Sequence, residues 1–167
     1  MNRIRLSIAS ILCGLPLLAA AQALPASHGP RGGLVLHLIE RARPESIGFV
    51  DAPPVGPSLG DRLVYSADIL DRSGRIVGRD GVDCATVSID PTATPDKQTT
   101  VQCVASIELF GQGQLTAQSL AQGTTNYFAI TGGTGRFRTV RGEVLVADIT
   151  PLVEANLTFT LYDIDAD

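Results

Sequence analysis

The chain has 167 residues, 44% of them hydrophobic and 18% charged, with a formal net charge of −4. That is enough apolar material for one packed domain and too little charge for a disordered chain. The acidic balance, the absence of tryptophan and an aromatic content of 5% exclude a basic, base-stacking nucleic-acid surface.

Arg3 and Arg5, the uncharged run from Leu6 to Ala20, and Ala21-Gln22-Ala23 form the three-part pattern of a secretory signal peptide. Cleavage is expected after Ala23, removing Cys13 with the signal. The apolar run is too short to span a membrane, and no second one follows, so the mature protein is expected to be soluble. Two cysteines then remain, Cys84 and Cys103. An even count in an exported chain reads as one disulfide, with two buried free thiols as the alternative. The expected compartment is extracellular or periplasmic.

Residues 24–33 are rich in proline and glycine and read as a flexible lead. The domain is expected over residues 34–167. Leu34 to Arg43 alternates as a first strand, with Leu34, Leu36 and Leu38 on one face. Pro44 to Gly60 reads as a long loop. Arg62 to Leu70 is the second strand, with Leu63, Tyr65, Ala67 and Ile69 sharing a face. Asp71-Arg72-Ser73-Gly74 has the residue order of a tight turn. A third strand starts at Arg75, breaks or bulges at Asp80-Gly81 and continues over Val82 to Ile89. Asp90 to Lys97 is a polar connection, and Thr99 to Phe110 is a long strand. Strands over 114–120, 127–131, 136–149 and 156–162 complete the series. No stretch carries a sustained helical period. Regular strands and turns predict an all-β fold, and eight such strands can close into a barrel wide enough for one small ligand.

Cys84 and Cys103 are equidistant from the middle of the 90–97 connection. Antiparallel pairing sets them nearly opposite, within reach of a disulfide.

The most specific stretch is Phe128-Ala-Ile-Thr-Gly-Gly-Thr-Gly-Arg-Phe137, followed by Val140-Arg141-Gly142. It is not a phosphate loop, because no helix start and no glycine-lysine pair follow. The segment resembles the AITGGTG signature of allene oxide cyclases and dirigent proteins. The stretch GDRLVYSADILDRSGRIVGRDGVDC, Gly60 to Cys84, is similar to a second block of theirs, in the right order. The resemblance implies a closed eight-stranded antiparallel barrel with an apolar lumen, often trimeric. It also implies chemistry that steers a reactive hydrophobic intermediate, by cyclising a fatty-acid epoxide or coupling phenoxy radicals stereoselectively.

The cyclases' catalytic residues do not carry over intact. Alignment sets His37 in place of a first-strand Glu, with Ile39 and Ala67 in place of Asn residues. Cys84 matches a cyclase pocket residue, and Arg141 matches an arginine of the dirigent tail. The candidate catalytic residues are therefore His37, Tyr65 and Arg141. The candidate lumen residues are Leu63, Ala67, Ile69, Cys84 and Ile107. Glu40, beside Arg41 and Arg43, reads as half of a solvated ion pair. Asp68 has the parity of the outer face, and Glu108 and Glu143 read as exterior. Two histidines without a shared motif, His28 and His37, make no zinc site, and the acidic tail Asp163, Asp165, Asp167 lacks calcium-loop spacing. No cofactor and no metal are expected. The expected partner is a small hydrophobic molecule, with a homotrimer as the implied assembly. Three functions remain open: an isomerase- or cyclase-like enzyme, a carrier of hydrophobic molecules, and a structural barrel filled by side chains.

Overall fold

The computed structural model describes residues 33–163. The signal sequence, nearly all of the lead, and Asp165 and Asp167 lie outside them. Nine strands form one antiparallel sheet: β1 Leu34–Ala42, β2 Gly48–Val50, β3 Arg62–Leu70, β4 Ile76–Ile89, β5 Thr99–Leu109, β6 Gly113–Ala121, β7 Thr125–Gly133, β8 Arg141–Thr150 and β9 Glu154–Tyr162. Neighbours in sequence are neighbours in the sheet from β3 to β9. β1 pairs with β9 along one edge and with β3 along the other, which closes eight strands into a barrel. Among the described residues the closure is made by Ile39–Ala42 alone, which join β1 to β3.

β1 and β2 share one edge of β3. Ile39–Ala42 pair with Leu70–Ala67, and Gly48–Val50 pair with Val64–Arg62. Between them the chain buckles at Pro44, which fixes φ and has no N–H to continue the ladder. Ser46 Oγ stitches the gap, accepting the Ser66 N–H at 2.9 Å and setting its one proton between the carbonyls of Arg43 (2.8 Å) and Ser66 (2.9 Å). The segment expected to be a continuous loop over 44–60 thus holds a short strand.

β4 also differs from expectation. It runs unbroken through Asp80-Gly81, which pair with Ala67 and Ser66 on one side and Ile107 and Ser106 on the other. An Asp-Gly pair signals a turn only where the chain is free to fold back. Here the ladders on both sides hold it extended. The register shifts lie instead near the strand ends, between Ile69 and Leu70 and between Thr86 and Ser88. The turn at residues 71–74 forms as expected, with Gly74 N–H donating to the Asp71 carbonyl at 2.9 Å and Gly74 at φ +81°.

One end of the barrel is plugged. The glycine-rich segment does not enter β8 directly. Gly135–Phe137 form a turn of 3-10 helix that drives Phe137 into the barrel floor, where it is fully buried with Val140, Leu115, Phe159 and Leu161. Gly135 has φ +57°, and a side chain on Gly133 would meet the Phe137 carbonyl. The glycines of the motif therefore let the backbone pack close enough to seat the plug.

Cys84 and Cys103 face each other across β4 and β5 and form a disulfide, their Cα atoms 4.0 Å apart. Both are buried on the inner face.

Two predictions follow from the plug and the clasp. Phe137→Ala removes a fully buried aromatic ring and is expected to lower unfolding free energy by about 3–5 kcal/mol, read by urea titration with far-ultraviolet circular dichroism. Reducing the disulfide releases a loop with a sequence separation of 19. It is expected to cost about 3 kcal/mol in the same assay, by restoring freedom to the unfolded chain.

Candidate functional site

Strand alternation decides what enters the lumen. On β1 the inward series is Leu34, Leu36, Leu38 and then Glu40. On β3 it is Leu63, Tyr65, Ala67 and Ile69, and on β4 it is Gly78, Asp80, Val82, Cys84 and Thr86. On β8 it is Val144, Val146 and Asp148. The series of β1, β3 and β4 thus carry Glu40, Tyr65 and Asp80 into the barrel, and that of β8 ends on the exposed Asp148 at the rim.

The plugged half of the lumen is packed solid, with Ile69 and Ala67 fully buried. The other half is open. A cavity of about 180 Å³ runs inward from the turns at residues 122–124 and 151–153, lined by Glu40, Tyr65, Val82, Phe128, Val146 and both cysteines. A deeper void of about 40 Å³ continues beneath it, reaching Asp80, Ala105, Ile107 and Leu157. Leu63 and Cys84 separate this lumen from a side pocket of about 330 Å³. That pocket lies under a strap built on β2 and residues 51–58. Asp61 ties the strap down by accepting the N–H groups of Ala52 (2.9 Å) and Ser58 (2.8 Å). These backbone donors hold the Asp61 carboxyl below its ordinary range.

The polar groups of the lumen form one cluster. Glu40 is 7% exposed and Asp80 is 8% exposed. Asp80 faces Ala67, whose small side chain leaves room for the carboxyl and whose N–H donates to Asp80 Oδ1 at 3.0 Å. Glu40, Tyr65 and Asp80 line the same small void. One carboxyl oxygen, Glu40 Oε1, is buried without any hydrogen-bond partner.

Burial pushes the Glu40 carboxyl above its ordinary range, and the charge of Asp148 adds to the shift against the Tyr65 hydrogen bond. Burial and the charge of Glu40 raise Asp80 to about 8, against the Ala67 N–H and the charge of Arg43. Burial and then Glu40 hold the Tyr65 hydroxyl firmly in its neutral form. With Asp80 raised to about 8 and Glu40 above its ordinary range, the pair holds at least one proton near neutral pH. One site thereby offers a proton donor, a carboxylate acceptor and a phenol.

The sequence-derived candidates separate into two groups. Tyr65, Leu63, Cys84 and Ile107 line the open lumen, while Ala67 and Ile69 pack in its closed part. His37 is exposed on the outer face, its Nδ1 3.3 Å from Thr158 Oγ1. It has the opposite parity to Leu36 and Leu38, so the strand cannot present it to the lumen. Arg141 likewise points outward with Glu143, and its Nη1 donates to the Val140 carbonyl at 2.9 Å. Cys84 is a disulfide partner rather than a thiol.

Glu40 is not the solvated ion pair that its neighbours suggest. Arg41 pairs with Glu154 at 3.3 Å, and Arg43 Nε donates to Asp68 at 3.0 Å, both on the outer face. The two arginines are thus occupied by acids from other strands, and Glu40 alone turns inward. The signal available in the sequence was its parity with Leu34, Leu36 and Leu38. For Asp80 it was parity with Val82 and Cys84.

The raised carboxyls set the sign of a pH effect. The folded state holds protons that the unfolded chain releases above about pH 4. Their contribution is full below that pH and is lost as pH rises through the folded-state values, toward about 8 for Asp80. Stability is therefore expected to fall across this window, by at most about 1.4 kcal/mol per pH unit for each proton held. Asp80→Asn keeps an acceptor for the Ala67 N–H and is expected to flatten the slope. Urea midpoints at pH 5, 6.5 and 8 measure it.

Three comparisons place this architecture among known proteins. The sequence profile described as "Allene oxide cyclase barrel like domain" matches residues 46–161. Comparison with curated protein sequences yields no match. Among solved structures, the chain is similar to a pyocyanin demethylase at 26% identity and TM-score 0.64, covering 77% of this chain and 99% of that one. It is similar to a Diels–Alderase from Streptomyces koyangensis at 17% identity and TM-score 0.65, over 84% of this chain and 72% of that one. It is also similar to a pterocarpan synthase dirigent protein at 18% identity and TM-score 0.57, over 82% and 99%. The last two likenesses show the shared barrel. With the profile spanning most of the barrel and its strands closed in this order, the chain belongs to the allene oxide cyclase barrel-like family.

Proposed function

We propose that the protein steers the cyclisation or stereoselective coupling of a small hydrophobic substrate inside its lumen. The observation that carries this reading is the pair Glu40 and Asp80, buried beside Tyr65 in the otherwise apolar void beneath a cavity that also bears Asn126, Asp148 and Glu154. Apolar walls fold the substrate and exclude water, and holding reacting atoms together lowers a barrier by several kcal/mol without strong acid or base. The proton held by the pair then hydrogen-bonds to oxygen or nitrogen as charge develops there, and the ionised partner accepts a proton.

The barrel fold itself does not select the reaction. The similar structures bear names that include a demethylase, a Diels–Alderase and a pterocarpan synthase dirigent protein. What differs between such proteins must be sought in lumen side chains. An exported setting agrees with the N-terminal pattern and with the Cys84–Cys103 disulfide, a bond that persists in oxidising compartments.

The test incubates purified protein with a panel of reactive dienes and of phenols under one-electron oxidation, followed by chiral chromatography. The expected result is a non-racemic product for at least one class. Glu40→Gln is expected to lower that turnover about 100-fold or more, the scale of a lost acid–base group. Racemic products throughout, with a ligand still held in non-denaturing mass spectra, would instead identify a carrier using the same lumen. Those spectra also report whether the chain assembles as a trimer.

A further inference from the structure

The lumen has acids and no base. Among the described residues, neither the 180 Å³ cavity nor the void beneath it is lined by lysine, arginine or histidine. The charged or titratable groups facing the cluster are Glu40 from β1, Tyr65 from β3, Asp80 from β4 and Asp148 from β8. Glu154 at the rim is engaged by Arg41, and Arg43 reaches Asp80 only by its charge while bonded to Asp68 outside. The cavity therefore has the wrong sign for a carboxylate ligand. An anion entering it would lose its hydration against two buried acids with no countercharge.

A second observation points to a ligand. Glu40 is more than nine-tenths buried, lines both the cavity and the void beneath it, and its Oε1 makes no hydrogen bond. Buried carboxyl oxygens are ordinarily satisfied, and an orphan in a cavity wall marks a place where a donor belongs. Tyr65 and Phe128 add two aromatic rings to the same wall, and aromatic faces attract organic cations.

We infer that the lumen binds a small organic cation, an arylalkylammonium or protonated nitrogen heterocycle, whose N–H donates to Glu40 Oε1. This rests on the lumen being the working site and deepens that reading by naming the substrate class. The size agrees. A cavity of about 150 Å³ holds benzene, so the lumen takes a ligand of one or two rings. The proton held by the pair Glu40 and Asp80 and the ligand's positive charge play the same part. Either one neutralises the second carboxylate. A ligand that arrives as a cation therefore displaces that proton to solvent, and both carboxyls are then ionised around it. Binding is expected to tighten as pH rises through the titration of the pair, as long as the amine itself remains protonated.

The experiment uses benzylamine, benzyl alcohol and benzoate, three probes of similar shape with positive, zero and negative charge. Isothermal titration calorimetry on the mature protein at pH 7, in two buffers of different ionisation enthalpy, reads affinity and protons released. Benzylamine is expected to bind at least tenfold tighter than benzyl alcohol, to release a proton, and to gain affinity up to about pH 8.5. Benzoate is expected to bind at least tenfold more weakly than the alcohol. Glu40→Gln and Asp80→Asn, each confirmed folded by circular dichroism, are expected to abolish the preference while the alcohol still binds. Benzoate binding as well as benzylamine would overturn the inference and leave the lumen site standing. So would a cation preference that survives both variants. Failure of all three probes to bind would overturn the lumen reading itself and this inference with it.

Discussion

Closure of β1 onto β3 is the constraint on which the rest of this protein depends. Once both edges of β1 are paired, every strand has one face in solvent and one in a lumen whose width eight strands determine. A one-residue slip would exchange those faces entirely. The same closure that buries Leu34, Leu36 and Leu38 carries Glu40 inward with them. The acid is held inside by the register that buries the apolar side chains before it, so turning it outward would expose the core. Its cost is therefore borne by the whole barrel rather than by local contacts.

That cost is shared unevenly along the barrel axis. The half floored by Phe137, Phe159 and Leu161 is tightly filled and supplies stability through burial. The open half is lined by a mixture of apolar, aromatic and acidic side chains and keeps its cavity. The disulfide sits in this second half, across β4 and β5, where packing is least. A covalent clasp acts mainly on the unfolded chain. It thus stabilises the fold without filling the space a ligand would need. The expectation of a barrel filled by side chains holds for one half of the lumen and not for the other.

Much of this was legible in the sequence where local pattern and tertiary structure agree. The alternation of 62–70, the turn at 71–74 and the symmetric cysteines each encode their own partner or face. The plug was not legible. Arg136-Phe137 reads as strand because the residues after it are β-like. What bends the chain there is the packing of Phe137 under the barrel. Glu40 and Asp80 escaped for a related reason. Arg41 and Arg43 look like partners of Glu40 in sequence, but their acids come from β9 and β3, and an Asp-Gly pair looks like a turn until ladders form on both sides. His37 was chosen by alignment to a family position, and parity overrode it. Alternation was the more reliable guide because barrel geometry enforces it.

The allene oxide cyclase-like barrel separates what must be retained from what can vary. Gly60-Asp61 secures the strap over the side pocket, and the glycine-rich segment seats the plug. The resembling Gly60–Cys84 block also contains Tyr65 and Asp80, whereas the strap and plug residues lie outside the acidic cluster. Resemblance on such residues therefore reports the barrel and says little about the reaction. The lumen-facing positions of the open half tolerate exchange more freely, because a cavity wall is not locked by neighbours on every side. Replacing an apolar residue there by Glu40 or Asp80 changes the sign and proton content of the cavity while leaving the strand ladder intact. The barrel fold alone does not name a reaction, and in this chain the acidic lumen is where the chemistry must be sought.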